Sequence, residues 1–171
     1  MFLSADELNM ERVVAGGESW GTPSVFATNT FSIIVGSENP LGIDSIDDLA
    51  DPDLLVVVCA ESSPCGRGAA EIFRKANVFV TPRSFEENVK SVVAKVVAGE
   101  VDAGIVFSTD VLAAREVSEG VPIPSDLNVI TNYSAVVTKE SDNRDLASAF
   151  IKFVMSERGQ SILAEFGFLR P

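Results

Sequence analysis

Residues 54–76, LLVVVCAESSPCGRGAAEIFRKA, form the pattern in this sequence that is best suited to binding a ligand. The apolar run 54–58 predicts a strand that is buried on both faces. Ser63, followed by proline, then predicts the start of a helix. The next amides, on Cys65 and Gly66, have no partner within such a helix, and glycine lets a ligand approach closely. The turn is therefore a candidate oxyanion site, and the alternative is an ordinary strand–helix turn that binds water.

The charge balance limits what the chain can bind. It has 13 basic and 25 acidic residues, no histidine and a net charge of -12. Such a surface repels phosphate, so nucleic acid is not an expected partner, and neutral dipoles must hold any bound anion. Without histidine, the commonest general base and zinc ligand is missing. We therefore predict no catalytic residues, no metal coordinated directly by side chains and no cofactor.

The two cysteines, Cys59 and Cys65, lie on either side of the candidate turn. They form either a local disulfide, which would join the strand end to the helix start, or two buried thiols. The sequence leaves both alternatives open, because the Cα separation decides between them. A disulfide would imply an oxidising compartment.

The segment after this turn continues as alternating strands and helices. Ser84 and Glu87 have the spacing of a capping box, which predicts that a helix begins there. Its valines, from Val89 onward, recur at helical spacing, so one side of the helix packs against a sheet. Residues 101–107 predict another strand, and residues 108–110 the start of another helix.

Three successive strand–helix units predict a parallel sheet with right-handed crossovers. Ligands of such sheets bind at the carboxyl ends of the strands, where Cys65, Val89 and Phe107 lie. Two long predicted strands, 26–35 and 128–138, lie on either side of these units. They are typical of a binding protein whose chain leaves one lobe, builds a second and returns.

We therefore predict that residues 30–129 form lobe II and that residues 1–29 and 130–171 form part of lobe I. The first residues read as the end of a strand, which favours missing residues before Met1, and the alternative is a natural short N-terminal strand. The percentage of hydrophobic residues, 46%, is that of a globular chain, and no apolar run approaches the ~20 residues that a membrane-spanning helix needs.

Five segments in order resemble the molybdate-binding proteins of molybdate ABC transporters: SADELNMERV, FSIIVGSENPLGIDSIDDLA, SSPCGRGA, ENVKSVVAKVVAGEVDAGIVFSTD and AFIKFVMSERGQSILAEFGF. The resemblance implies an α/β, type II periplasmic-binding-protein-like fold. In that fold, two lobes with parallel-rich sheets are joined by two hinge strands, and here the first lobe is expected to be incomplete. It further implies that the lobes close on a tetrahedral oxyanion, molybdate or tungstate.

The resemblance also assigns residues to the anion. Backbone amides that bind it in the family fall on Cys65 and Val89, and a tyrosine that commonly donates its hydroxyl falls on Phe107, which has none. That departure removes one hydrogen-bond donor. An oxyanion that lacks a hydrogen bond in a site without water is bound less favourably. With the neighbouring Ser63, Gly66 and Asn88, these residues make up the predicted oxyanion-binding set.

The partners that the resemblance implies are the membrane permease and the ATPase of an ABC importer. The implied location is periplasmic or extracytoplasmic, with a lipoprotein anchor on the full-length protein. An incomplete first lobe also allows a domain-swapped homodimer. The alternative function is a ligand-sensing effector domain of a transcriptional regulator with the same bilobal fold. An enzyme on this fold is a third hypothesis, which the lack of a clear nucleophile and base disfavours.

Overall fold

The computed structural model describes every residue, Met1–Pro171, and the chain forms two compact units. Unit 1 comprises Met1–Asn29 and Ile130–Pro171, and unit 2 comprises Thr30–Val129. Unit 2 is thus inserted into the sequence of unit 1. The helices and strands, in chain order, are β1 (Phe2–Ser4), α1 (Glu7–Ala15), β2 (Ser19–Asn29), β3 (Phe31–Gly36), β4 (Val56–Cys59), α2 (Pro64–Ala76), β5 (Ser84–Glu86), α3 (Val89–Val97), β6 (Ala103–Phe107), α4 (Ser108–Ala113), β7 (Ser118–Pro122), β8 (Thr131–Thr138), α5 (Arg144–Val154) and α6 (Glu157–Glu165).

Unit 2 contains a five-stranded sheet in the order β5-β4-β6-β3-β7. Strands β5, β4 and β6 are parallel to one another, as the three strand–helix units predict. Strand β3 is antiparallel to both of its neighbours, β6 and β7. The sheet is therefore mixed. Each of its parallel strands is followed by a helix, α2, α3 or α4.

The core of unit 2 is one connected cluster. A single cluster of 22 buried residues includes the interiors of β3, β4 and β6 together with one side each of α2 and α3. All four residues of β4 and all five of β6 are buried, which explains their continuous apolar sequence. These strands have helices on both faces, so no side of either faces water.

The two ends of unit 2 are held together by one side chain. Asn128 Oδ1 accepts a hydrogen bond from the Phe31 amide at 3.0 Å, and Asn128 Nδ2 donates to the Phe31 carbonyl at 2.9 Å. The side-chain amide thus pairs with the backbone of β3 much as a neighbouring strand would.

Unit 1 contains a three-stranded sheet in the order β1-β8-β2, and both pairings are antiparallel. The expectation of parallel-rich sheets in both lobes is therefore wrong for unit 1. Its core cluster has three buried members, Phe26, Ala27 and Ala135. Met10, Val136 and Val137 are also buried in this unit, outside that cluster. Partly buried side chains from α5 and α6, such as Ile151 and Leu163, pack against this cluster.

Some predicted elements differ in the structure for physical reasons. The strand predicted over 26–35 is interrupted at Thr30, because Asn29 pairs with β8 whereas Phe31 pairs with β6. The helix predicted to begin at Ser84 begins at Val89 instead. Ser84 pairs with Val57 in a strand, and its hydroxyl donates to the Glu86 carboxylate rather than capping a helix. None of the helices is both long and apolar enough to cross a membrane.

Candidate functional site

The candidate site lies at the carboxyl edge of the parallel strands of unit 2. Strands β4 and β5 are paired up to their last residues, Cys59 and Glu86. The Ala60 amide extends this ladder by donating to the Glu86 carbonyl at 2.8 Å. The chain enters α2 and α3 within a few residues of this point. The first turns of two helices therefore begin at neighbouring strand ends, with their amide groups at the same edge of the sheet.

The first turn of α2 is capped by Ser63, as the sequence predicts. The Ser63 hydroxyl accepts a hydrogen bond from the Gly66 amide at 3.3 Å and donates to the Ala60 carbonyl at 2.7 Å. Ser63 and Gly66 therefore already have partners within the protein. The prediction that the Gly66 amide is free is wrong, because this amide donates its hydrogen bond to the N-cap side chain.

The glycines of this turn are required by packing rather than by the approach of a ligand. A Cβ on Gly66 would lie 2.1 Å from the Ala60 carbonyl oxygen. A Cβ on Gly68 would lie 2.1 Å from the ring of Phe31. The absence of side chains at both positions thus lets α2 pack closely on its preceding loop and on β3.

The Cys65 amide is the donor of this turn that has no acceptor in the protein. It occupies the second position of α2, after Pro64, where no carbonyl of the helix can reach it. Cys65 is 3% exposed. Because buried amides in native proteins almost always have a partner, this donor is suited to a group from outside the chain, water or an anion.

The side chain of Cys65 has a structural role. Cys59 and Cys65 form a disulfide, with their Cα atoms 5.7 Å apart. The sequence leaves a disulfide and two buried thiols as alternatives, and the structure has the disulfide. It joins the end of β4 to the start of α2. Arg67 further fixes this turn, since its guanidinium donates to the carbonyls of Glu61 and Ser62.

The first turn of α3 has a similar arrangement. Asn88 is its N-cap, and the side-chain oxygen accepts from the Ser91 amide at 3.1 Å. The Val89 amide, at the first position of the helix, has no acceptor in the protein. The Val89 side chain packs against the core of unit 2. Val89 therefore fixes the helix by its side chain and still presents a backbone donor.

Phe107, the last residue of β6, belongs to the core. It is 6% exposed, and its ring centroid lies 4.7 Å from that of Phe31. A hydroxyl group follows it at once: Ser108 Oγ lies 3.0 Å from Thr30 Oγ1 and 2.8 Å from Ser32 Oγ. Sequence analysis missed this cluster of hydroxyl groups, because Thr30 and Ser32 are far from Ser108 in sequence.

Acidic groups near this edge are partly neutralised. The Glu86 carboxylate forms an ion pair with Lys95 at 2.5 Å, and the hydrogen bonds from Lys95 and Ser84 lower its pKa. Asp110, in α4, has one carboxylate oxygen that is buried without a hydrogen-bond partner. Burial raises the pKa of Asp110 to about 6, although the backbone of Phe107 and the charge of Lys90 act in the opposite direction.

The structure thus brings some predicted site residues together and gives others a different role. Cys65 and Val89 each present an amide at neighbouring helix starts, and Asn88 caps the second of these helices. Ser63 and Gly66 hold the first turn together. No group of three or more histidine, cysteine, aspartate or glutamate side chains is placed to hold a metal ion.

Comparison with curated proteins shows similarity along the whole chain. The molybdate-binding protein ModA of Mycobacterium tuberculosis is 36% identical over 171 residues, which are 100% of this chain and 66% of the relative. About a third of that relative's length therefore has no counterpart here. The resemblance predicted from the sequence segments is confirmed.

Solved structures show the fold. A substrate-binding domain from Clostridium difficile has a TM-score of 0.76 and 25% identity, covering 99% of this chain and 76% of that structure. The periplasmic molybdate-binding protein of Azotobacter vinelandii has a TM-score of 0.82 and 17% identity, covering 99% and 78%. The predicted type II periplasmic-binding-protein-like α/β fold is therefore confirmed.

The family follows from a match along almost the whole chain. A family model described as bacterial extracellular solute-binding protein matches residues 1–169. The chain thus belongs to the bacterial extracellular solute-binding protein family.

Proposed function

We propose that this chain binds a tetrahedral oxyanion, molybdate or tungstate, through the backbone amides of Cys65 and Val89. The observation that carries the proposal is the pairing of β4 with β5, which places two helix starts at one sheet edge while leaving each of these amides without a protein acceptor. The dipoles of both helices favour an anion at such positions.

The charge of the protein supports neutral donors rather than cations as the means of recognition. The net charge of -12 opposes any anion at long range. Backbone amides fixed by a disulfide and by two N-caps need no reorganisation to accept an oxyanion. Their hydrogen bonds to a charged ligand are also stronger than those to a neutral one.

The names of similar proteins support the choice of ligand. The Mycobacterium tuberculosis relative is a molybdate-binding protein, and the Clostridium difficile domain is ascribed to a molybdenum ABC transporter. We extend the proposal accordingly to delivery of the anion to the permease and ATPase of an ABC importer. On this proposal the protein acts outside the cytoplasmic membrane, where a lipoprotein anchor would hold it, and has no catalytic role.

The proposal is tested by titrating the chain with sodium molybdate, sodium tungstate and sodium sulfate, measuring binding by calorimetry and the thermal midpoint. We expect molybdate and tungstate to raise the midpoint as their concentration exceeds the Kd, and sulfate to do so less. If neither molybdate nor tungstate produces heat or a midpoint shift at millimolar concentration, the proposal is wrong.

A proline substitution separates the amide of Val89 from its side chain. Val89 is the first residue of α3, where proline fits the helix and removes only the N–H group. Asn88 is extended, with φ -152° and ψ 163°, which is compatible with a following proline. We expect Val89→Pro to weaken molybdate binding about 10- to 100-fold, the value of one charge-assisted hydrogen bond. Val89→Ala keeps the amide and should bind within about threefold of the wild type.

A matched control exists in unit 1. Glu7 is the first residue of α1, and its N-cap Asp6 has nearly the same backbone angles as Asn88, φ -153° and ψ 164°. Glu7→Pro should therefore leave the affinity for molybdate unchanged. Equal effects of Glu7→Pro and Val89→Pro would contradict a role for the Val89 amide.

A further inference from the structure

We propose that Glu86 is a positioning residue of the candidate oxyanion site. Its backbone bonds to the turn that presents the Cys65 amide, and its side chain bonds to the helix that presents the Val89 amide. By joining these two elements, Glu86 fixes the separation of the two amides and so determines the size of the anion that the site accepts. The inference rests on the proposed function, because it concerns the selectivity of the same site.

The backbone of Glu86 is connected to the first turn of α2 by a series of hydrogen bonds. The Glu86 carbonyl, at the end of β5, accepts from the Ala60 amide at 2.8 Å. The Ala60 carbonyl in turn accepts from the Ser63 amide at 2.9 Å and from the Ser63 hydroxyl at 2.7 Å. Ser63 is the N-cap of α2, and Cys65 is in the first turn of that helix. The position of the Cys65 amide therefore depends on where β5 ends.

The side chain of Glu86 is connected to α3. Its carboxylate forms an ion pair at 2.5 Å with Lys95, in the last turn of α3. Ser84 completes this group, since its hydroxyl donates to the Glu86 carboxylate at 2.7 Å and accepts from Lys95 at 3.1 Å. Only Glu87 and Asn88 separate Glu86 from Val89. Helix α3 is thus held to β5 at both ends, by the short connection at its first turn and by Lys95 at its last.

The ion pair of Glu86 is better shielded from water than the ion pair within α2. The side chains of Lys95 and Glu86 are 32% and 13% exposed, whereas those of Arg74 and Glu71 are 70% and 39% exposed. Because water and salt screen a shielded pair less, its charge-assisted hydrogen bonds hold the geometry more firmly. The hydrogen bonds from Lys95 and Ser84 also keep the pKa of Glu86 below its usual value, so this carboxylate stays ionised.

A fixed separation of two donors discriminates between anions by size. A hydrogen bond from N–H to oxygen is favourable over only about 2.7 to 3.2 Å. Two amides held at one separation therefore fit one spacing of anion oxygens best. If the two turns move independently, each amide can follow the anion, and the difference in affinity between ions falls. Binding of the best-fitting ion also weakens, because its donors have to be ordered first.

Lys95 has a second effect on an anion, because it neutralises the Glu86 carboxylate. Lys95→Met alone breaks the connection and leaves an unpaired negative charge. Lys95→Met with Glu86→Gln breaks the connection and leaves no charge. Repulsion by an unpaired carboxylate lowers the affinities for two doubly negative ions by similar factors. Loss of positioning instead changes the ratio of the two affinities, so the two effects can be separated.

The experiment measures the Kd of the complete chain for sodium molybdate and for sodium sulfate, by calorimetry at constant ionic strength. For Lys95→Met with Glu86→Gln, we expect the ratio of the sulfate Kd to the molybdate Kd to fall about fivefold, mainly through weaker molybdate binding. Lys95→Met alone should show the same fall in the ratio, with weaker binding of both ions. Lys95→Arg keeps the ion pair and should leave the ratio within about twofold of the wild type.

A matched control exists in α2. Arg74→Met with Glu71→Gln breaks an ion pair of 2.6 Å that lies within a single helix. This control should leave the ratio within about twofold of the wild type. Circular dichroism checks that each variant is folded. If the double variant at Glu86 and Lys95 is unfolded, Glu86→Gln alone is the milder test, and it should lower the ratio about threefold because a neutral hydrogen bond replaces the charged one.

Three results would overturn the inference. The first is an unchanged ratio in the folded variants that lack the ion pair of Glu86. The second is an equal fall in the control within α2. The third is recovery of the wild-type ratio when Glu86→Gln is added to Lys95→Met, which would assign the effect to charge alone. In all three, the wild type still binds molybdate and the proposed function stands, whereas a wild type that binds neither ion refutes the proposed function and this inference together.

Discussion

The two units of this protein differ in how completely each buries its own apolar residues. Unit 2 has a core cluster of 22 buried residues, whereas that of unit 1 has three. In unit 2, helices cover both faces of the central strands, and in unit 1 two helices leave large apolar side chains exposed. The candidate anion site therefore lies in the unit with the larger buried core, and this core holds the site rigidly.

The largest expected difference comes from removing one phenylalanine from each core. Phe31 is 1% exposed and packs on Phe107, so Phe31→Ala should lower the free energy of unfolding by about 3 to 5 kcal/mol. Phe26 lies in the small core of unit 1, where neighbours can collapse, and Phe26→Ala should cost about 2 kcal/mol. Chemical denaturation with hydrogen exchange of each unit measures both. Equal costs would contradict the difference between the two cores.

A second prediction concerns the tightness of the turn before α2. In Gly66→Ala, the new methyl group meets the Ala60 carbonyl at 2.1 Å, so the loop must move. We expect a loss of about 2 kcal/mol in unfolding free energy and weaker anion binding, because the Cys65 amide moves with the turn. Gly36→Ala is the control, since no atom lies within 4 Å of its Cβ position. Urea denaturation and calorimetry provide the measurements. Gly66→Ala protein with unchanged stability would show that unit 2 is less rigid than proposed.

The disulfide should make a similar or smaller contribution to the free energy of unfolding. Replacing Cys59 and Cys65 together by alanine removes a short covalent loop, and we expect a cost of about 2 kcal/mol in thermal or urea unfolding. Dithiothreitol should lower the midpoint of the wild type but leave that of the double variant unchanged. A double variant as stable as the wild type would indicate that packing and capping alone hold the turn.

The smallest expected effect is the pH dependence caused by Asp110. Because burial raises the pKa of Asp110 to about 6, the folded protein binds this proton more tightly than the unfolded chain does. The stability should therefore fall as the pH rises from about 4 to about 6.

Asp110→Asn removes this charge. A pKa raised from 3.8 to about 6 corresponds to roughly 3 kcal/mol, which solvent screening of the partly exposed carboxyl reduces. We therefore expect the variant to be more stable than the wild type by about 1 kcal/mol at pH 8, with the difference disappearing near pH 4. Thermal midpoints at pH 4, 6 and 8 test this, with Asp53→Asn on the surface as the control. A difference that is independent of pH would rule out titration of Asp110 as its cause.

Much of unit 2 could be predicted from sequence, because its signals are local. The continuous apolar run of β4, the N-cap Ser63 and the valine spacing of α3 each report a structure formed by neighbouring residues. The start of α6 is also marked locally, because Ser156 is its N-cap.

The remaining features depend on contacts that are distant in sequence. The reason for glycine at positions 66 and 68 lies in the Ala60 carbonyl and in the ring of Phe31. Ser84 has capping-box spacing, but its pairing with Val57 outweighs that local preference. The assignment of residues 26–35 to two strands depends on which partner each residue meets, which alternation of apolar residues cannot show.

The two hydrogen bonds between Asn128 and Phe31 have a practical consequence for engineering. They hold the second and the second-to-last residue of unit 2 side by side, so Thr30–Val129 has adjacent termini and a core of its own. Such a piece has the features of an autonomous module, one that could be expressed by itself, spliced into another host protein or circularly permuted.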